Sequence, residues 1–219
     1  QVHSDEMKCS AGPFKEAQVS EYRTARPFRV RQAAGRGHYD RAGVHAILDE
    51  GYVAHVAFAA AEGPVALPMF YVRDGESVLL HGSRKSRFMR VLGEGAPLCL
   101  TVTLLDGLVL ARSAFHHSMN YRSVMVHGRA VPVTGAEKLA AFDLFVERIR
   151  AGRAREARPS NAQELKATEV LRVPLVDVAA KTRSGGPNDD PEDMALAVWA
   201  GVVPVEQRLG EPVAWPAPV

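Results

Sequence analysis

The chain has 219 residues, of which 47% are hydrophobic and 24% are charged, and its formal net charge is +2 at pH 7. This length and composition are typical of one globular domain with a buried core, and they exclude a fibrous or largely disordered protein. A net charge of +2 with 7% aromatic residues is too weak a signal for nucleic-acid binding, so we expect no nucleic-acid partner. The two cysteines do not suggest a disulfide framework, and no apolar run reaches the roughly 18 residues of a membrane span. We therefore expect a soluble, cytoplasmic protein without membrane contact.

Composition divides the chain into three parts. Residues 1–26 lack periodicity and are predicted to be a flexible arm, residues 27–205 carry the patterns of the folded domain, and residues 206–219 form a Pro-rich tail. The domain opens with "DRAGVHAILDEG", in which Asp40 is a candidate N-cap and Gly51 a stop signal, so we predict a helix. The next three β-rich runs, "YVAHVAFAA", "VALPMFYV" and "SVLLHG", predict three short strands in a meander.

The following segments alternate between helical and strand patterns. "SRFMRVLGEG" predicts a helix of two to three turns. In "PLCLTVTLLDGLVLARSAF", the pair Asp106 and Gly107 lies between two β-rich runs and predicts a hairpin turn with positive φ angles. "YRSVMVHGRAVPV" alternates as a strand, where Gly128 indicates a bulge or a close backbone approach. "GAEKLAAFDLFVERIRAG" predicts an amphipathic helix, and "TEVLRVPLVDVAAKTR" returns to strand character, with Pro174 at an edge or a bulge.

These elements together predict the fold class. Six or seven short strands, most of them adjacent in sequence, favour a mainly β fold with peripheral helices, in the form of a closed or half-closed barrel. A doubly wound parallel sheet is disfavoured, because the strands adjoin through hairpins and do not alternate with long crossover helices.

The stretch "LLHGSRKSRF", residues 79–88, is the first candidate binding segment. A strand, a short turn and a helix start point backbone N–H groups at a negative ligand. Ser86 and Arg87 would add a hydroxyl and a guanidinium donor. The alternative interpretation is a surface turn whose cations are only solvated.

In their order along the chain, several segments resemble the FMN-binding split-barrel proteins related to pyridoxamine 5'-phosphate oxidase. The resemblance is greatest to the branch of nitroimidazole-resistance-like flavoproteins, and it covers about residues 27–205. It is carried by "YDRAGVHAILDEG", "VALPMFY", "HGSRKSRF", "DGLVLARSAFHHSMNYRSVMVHG" and "KTRSGGPNDDPEDMALAVWAGVVPV". It implies a split β-barrel that holds FMN across a homodimer interface, with a small-molecule substrate and a nicotinamide or other electron donor. FAD, a deazaflavin and haem are the alternative cofactors.

The resemblance also implies which residues contact the cofactor. They comprise the flavin-contacting strand, the phosphate turn and a group near the ring or the dimer interface: Ala66, Leu67, Pro68, Met69 and Tyr71; His81, Gly82, Ser83, Ser86 and Arg87; Arg122, Ser123, Lys181, Arg183 and Trp199. One departure concerns the phosphate: the family's lysine falls on Phe88, so Arg84 or Lys85 would have to supply the missing cation.

A second departure concerns the chemistry. In pyridoxamine-phosphate oxidases an Arg and a His that hold the substrate phosphate follow the Trp-x-Gly motif, whereas this chain continues as Val202–Val205. We therefore expect an FMN-dependent oxidoreductase for another small organic molecule, with no side chain assigned as catalytic acid or base. The alternative is a flavin- or haem-binding module without turnover, acting as a cofactor carrier or sensor.

The histidines do not predict a metal site. Candidates are His55, His81, His116, His117 and His127. Adjacent histidines on a strand end point to opposite sides, and no Cys or carboxylate cluster completes a site. A haem remains an alternative, because a single histidine can ligate its iron.

Overall fold

The computed structural model describes residues 20–215, which form ten strands and five α-helices. The strands are β1 (Gly37–His38), β2 (Val53–Ala60), β3 (Gly63–Asp74), β4 (Ser77–Ser83), β5 (Pro97–Leu110), β6 (Ser118–Arg129), β7 (Val131–Val133), β8 (Thr168–Pro174), β9 (Asp177–Arg183) and β10 (Gly201–Pro204). The helices are α1 (Arg41–Glu50), α2 (Arg87–Gly93), α3 (Gly135–Ile149), α4 (Arg153–Glu156) and α5 (Ala162–Ala167). The prediction of a mainly β fold with peripheral helices is confirmed.

All strand pairs are antiparallel, in the order β1-β9-β6-β5-β2-β3-β4-β8-β7, and β10 pairs with β5. The predicted meander of β2, β3 and β4 is present. Inward side chains from strands at opposite ends of this order share one buried cluster, including Val56, Leu80, Leu100, Val126 and Val173. The sheet therefore curves around a single core as a barrel.

A second, smaller core lies outside the barrel. Helix α3 buries Ala141 and Phe145 against Val72, Leu79 and Val170, which are side chains from β3, β4 and β8. The helix thus covers one outer face of the barrel, next to the ends of β3 and β4.

Helix α1 begins and ends where the sequence predicts. The carboxylate of Asp40 accepts a hydrogen bond from the backbone N–H of Gly43 at 2.7 Å, as an N-cap does. Gly51 follows the last helical residue, and a Cβ on it would lie 2.9 Å from the hydroxyl of Tyr71. That hydroxyl donates to the carbonyl of Leu48 at 2.6 Å and so joins α1 to β3.

The prediction of a hairpin at Asp106 and Gly107 was wrong. Strand β5 runs through both residues, with an irregularity in its pairing to β6 between Leu105 and Gly107. Gly107 is not among the glycines with positive φ, and a Cβ on it would lie 2.9 Å from the Val202 side chain. The glycine therefore permits the close approach of β10, and the chain turns later, in residues 111–117.

The prediction for Gly128 also differs from the structure. Gly128 pairs regularly with Leu98 and has no heavy atom within 4 Å of a Cβ position, so it marks neither a bulge nor a close approach.

Residues 20–25, here called the N-terminal strap, belong to the predicted flexible arm but pack on the barrel: Tyr22 is 4% and Thr24 5% exposed. The rest of the arm, residues 1–19, lies outside the described residues, as do residues 216–219.

Candidate functional site

The predicted strand, turn and helix start at residues 79–88 is present. Strand β4 ends at Ser83, and Ser86 is the N-cap of α2, with a side chain that makes no capping bond to the helix. The turn is closed by a hydrogen bond from the Ser86 N–H to the Ser83 carbonyl at 2.9 Å. The Ser86 hydroxyl makes no capping bond and is available to a ligand, whereas the backbone N–H groups of residues 84–86, which the sequence predicted to face an anion, donate within the chain.

Two of the cations of this turn form ion pairs with carboxylates. Arg87 forms an ion pair with Glu62, and Arg84 with Glu169 at 3.2 Å. The side chains of Arg84 and Arg87 are 63% and 55% exposed, so water and salt screen both pairs strongly. Either guanidinium can therefore exchange its carboxylate for an incoming anion at little cost.

Strands β3 and β4 separate beside this turn. The two strands pair only from Tyr71 to Asp74 on β3, so residues 66–69 bond to β2 on one side and have no strand partner among residues 20–215 on the other. On β4, His81, Gly82 and Ser83 pair with β8 but not with β3. The result is a gap with a free backbone edge on one wall and the turn of residues 84–87 at its end; we call it the β3–β4 gap.

The predicted residues on β3 become more buried along the strand. Ala66, Leu67 and Pro68 are exposed, and Met69 is half-buried. Tyr71 is fully buried, and desolvation raises the pKa of its phenol. Its side chain points into the core, and only its backbone lies near the gap.

His81 occupies the β4 wall at the end of α3. Its ring lies 4.4 Å from the Phe145 ring, centroid to centroid, with the planes tilted by 57°. Its Nδ1 is buried and has no hydrogen-bond partner in the described part of the chain. Desolvation lowers the pKa of the imidazole, so the ring stays neutral near pH 7.

Arg122 does not present a free guanidinium. It donates to Asp106 at 2.8 Å and to Glu50 at 2.8 Å, and these bonds raise its pKa further. Beside it, the Ser123 hydroxyl donates to the carbonyl of Lys181 at 3.1 Å. Arg122 is thus part of an acidic network that the sequence did not predict, because its two partners come from distant segments.

Arg183 and Trp199 lie apart from the β3–β4 gap within one chain. Arg183 is only 9% exposed, whereas Trp199 is 64% exposed and packs over Gly201. In residues 20–215, neither side chain has a recorded contact with the turn of residues 84–87. The structure therefore brings together the β3 residues and the phosphate turn, and leaves the third predicted group separate.

The histidines that were considered as metal ligands are dispersed. His116 contacts Asp190 at 3.1 Å, and the His117 ring contacts the Ser113 carbonyl at 3.0 Å. Within residues 20–215, no three His, Cys, Asp or Glu side chains are grouped closely enough to hold a metal ion. None of the helices in that range is long and apolar enough to cross a membrane.

Sequence reasoning missed several neighbours of the gap. Glu62 pairs with Arg87 and Glu169 with Arg84, and the Phe145 ring packs against His81. For the contact between Glu62 and Arg87, the only signal in the sequence was the position of Glu62 in the short turn between β2 and β3.

Comparison with known proteins gives the same fold. Residues 40–182 match the family model described as pyridoxamine 5'-phosphate oxidase. A search of curated proteins finds no match. The solved flavocytochrome of Azotobacter vinelandii is 37% identical, with a TM-score of 0.85 over 89% of this chain and 91% of that chain.

Two further solved structures extend the comparison. The FAD and haem binding protein of Mycobacterium smegmatis is 37% identical, with a TM-score of 0.80 over 83% of this chain and 89% of that chain. A putative 5-nitroimidazole antibiotic resistance protein of Bacteroides thetaiotaomicron is 20% identical, with a TM-score of 0.56 over 66% of this chain and 85% of that chain, and it supports the fold alone. With the family model matching most of the barrel and the gap between β3 and β4 in place, the chain belongs to the pyridoxamine 5'-phosphate oxidase family of split-barrel proteins.

Proposed function

We propose that this protein binds a flavin in the β3–β4 gap and acts as an oxidoreductase on a small organic molecule. The observation that carries the proposal is the unpaired backbone edge of residues 66–69, which lies beside a turn bearing Ser86 and Arg87. A flavin needs both features, because its ring has a polar edge of donors and acceptors and its ribityl chain ends in a phosphate. The two solved relatives at 37% identity carry flavin in their names, which supports the assignment.

The two sides of the gap would bind different parts of the flavin. The backbone groups of residues 66–69 that face away from β2 would hydrogen-bond the ring edge; Pro68 has no N–H and can contribute only its C=O. The Ser86 hydroxyl and the Arg87 guanidinium would hold the phosphate, with Arg84 or Lys85 as the second cation. When bound, the flavin supplies the electron and hydride chemistry, whereas the protein binds it, orients it and limits access of water.

We propose FMN as the unit that these residues contact. FAD contains the same ring, ribityl chain and first phosphate, so both cofactors fit the residues described. The name of the Mycobacterium smegmatis relative favours FAD as the complete molecule. Oxidation of pyridoxamine phosphate is disfavoured, because Val202 and Val203 in β10 stand where the family's Arg and His pair would hold that substrate.

We also propose that the functional unit is a homodimer. Large apolar side chains are exposed around β5, β6 and β10: Leu105, Leu108, Phe115, Met119, Trp199 and Val203. An apolar surface of this kind on a soluble protein marks an interaction site. A second copy covering it would also bring Trp199 and Lys181 to a flavin that they cannot reach within one chain.

A flavin- and haem-binding redox protein is the second candidate. Both relatives at 37% identity are named for haem or as a flavocytochrome. In this chain, His81 has the properties of an iron ligand: its imidazole is neutral, it lies against Phe145, and its Nδ1 has no partner among the described residues. Haem would supply one-electron chemistry next to the flavin.

The decisive experiment is an absorbance spectrum of freshly purified protein, with mass spectrometry of the molecules released on denaturation. Flavin bands with released FMN or FAD support the first proposal, and the released mass identifies the cofactor. Anaerobic mixing with NADH or NADPH then tests for reduction of the bound flavin. A Soret band that disappears in His81→Ala, with flavin retained, supports the second candidate. A colourless protein that fails to take up added FMN or FAD overturns both.

A further inference from the structure

A polar cavity of about 360 Å³ lies at the other end of the sheet order, beside β1 and β9. Its lining includes Arg36, His38, Thr182, Arg183, Ser184 and Gly186. No Asp or Glu is among its lining residues, although carboxylates accompany the arginines of the neighbouring surface. The cavity is therefore bordered by positive charge without a negative charge of its own.

Arg183 at the wall of this cavity is a buried cation without a counter-charge. It is 9% exposed, and its guanidinium donates to the side-chain carbonyl of Asn120 and to the carbonyl of Gly186 at 3.1 Å. All its recorded acceptors are neutral, and no carboxylate of residues 20–215 pairs with it. By contrast, Arg112 bonds Asp189 at 2.7 Å. A buried charge left with neutral partners is unfavourable, and an anion bound beside it would compensate the charge.

Other donors converge on the same cavity. Arg36 is half-buried and forms no recorded ion pair or side-chain hydrogen bond within residues 20–215. After β9 the chain enters a loop in which Gly185 has a φ of 95°, and the N–H groups of Ser184, Gly185 and Gly186 donate to no other described residue. The His38 ring contacts the Thr182 hydroxyl at 2.8 Å, which fixes its position at the rim. Two guanidinium groups and free loop N–H groups form a typical donor set for phosphate.

We propose that this cavity is a binding site for the phosphate group of an organic phosphate, held by Arg36, Arg183 and the loop of residues 184–186. The proposal goes beyond the flavin function and does not depend on it. Its basis is the charge of Arg183, which no carboxylate of residues 20–215 pairs with, and the loop N–H groups that donate to no described residue. A cavity of this size holds a phosphate with a small attached group. A nicotinamide nucleotide offers this chemistry through its phosphate groups.

The test measures binding of inorganic pyrophosphate to protein saturated with FMN, by titration calorimetry at low salt. Saturation with FMN keeps the turn at Ser86 filled, so that the probe reports on the second site. We expect measurable binding to the wild type, at least tenfold weaker binding to Arg36→Ala, and unchanged binding to the control Arg26→Ala. Arg26 is an exposed arginine outside the cavity. Arg183→Lys is the second variant; it keeps the charge but loses the fork that reaches Asn120, and is expected to weaken binding as well.

The outcomes separate the site from the flavin proposal. Absence of pyrophosphate binding to the wild type at millimolar concentration, or equal binding to Arg36→Ala and wild type, overturns the inference. Bound flavin is read from the absorbance of the protein after free FMN has been removed by gel filtration, so a protein that binds pyrophosphate but no flavin refutes only the proposed function. Competition by NADPH identifies a nicotinamide nucleotide as the source.

Discussion

Replacement of Arg87 by alanine is the sharpest test of the phosphate turn. If the guanidinium donates to the flavin phosphate, the variant loses a charge-assisted hydrogen bond worth about 1.5–3 kcal/mol. This range corresponds to a dissociation constant for FMN that is about 10- to 140-fold larger. The competing contact with Glu62 subtracts little from this effect, because both side chains are more than half exposed and the pair is screened by solvent.

The assay is a titration of flavin-free protein with FMN, followed by the quenching of flavin fluorescence. Glu62→Gln is the matched control, since it removes the partner that holds Arg87 but leaves the guanidinium in place. We expect the control to bind FMN as tightly as the wild type, or slightly more tightly. If Arg87→Ala folds normally and binds FMN within twofold of the wild type, the phosphate does not lie at this turn and the reasoning fails.

Two further predictions concern stability. Tyr71→Phe removes the buried donor to the Leu48 carbonyl, and we expect the free energy of unfolding to fall by about 1–3 kcal/mol in a urea titration; an unchanged midpoint would mean that the hydroxyl is not needed to join α1 to β3. His81 is the subject of the second prediction. Because its folded-state pKa lies below its unfolded value, the folded form binds fewer protons, and stability declines as the pH falls below about 6.5. In flavin-free protein, His81→Phe should make this decline shallower between pH 7 and pH 5, and parallel curves for variant and wild type would contradict the burial argument.

The elements that sequence predicted best are those with local signals. The N-cap at Asp40 and the stop at Gly51 directly flank α1, and the alternation of β2, β3 and β4 is strong enough to show the meander. The signal at Asp106 and Gly107 is equally local, yet it was misleading. What decides the conformation there is β10, which comes from residues nearly a hundred positions later in the chain, and no local pattern reports such a contact.

The candidate site was predictable to a similar degree. Ser86 and Arg87 lie at the helix start where the motif indicated them, because strand, turn and helix are adjacent in sequence. The inward orientation of Tyr71 depends on which face of β3 meets α1, and the network of Arg122 depends on Glu50 and Asp106 from two other elements. Both features depend on contacts between segments that are distant in sequence, which no local sequence pattern indicates.

The N-terminal strap has a consequence for aggregation. Strand β1 covers the outer edge of β9 only at Ala180 and Lys181. The strap covers the start of that edge: the Thr24 hydroxyl donates to the Val178 carbonyl, and the Ala25 N–H donates to the Asp177 carboxylate at 2.7 Å. A chain shortened so that it begins at residue 26 would leave backbone groups of the edge strand β9 open to pairing with a strand of another molecule. A shortened protein should therefore form strand-to-strand aggregates at concentrations where the full chain stays dispersed.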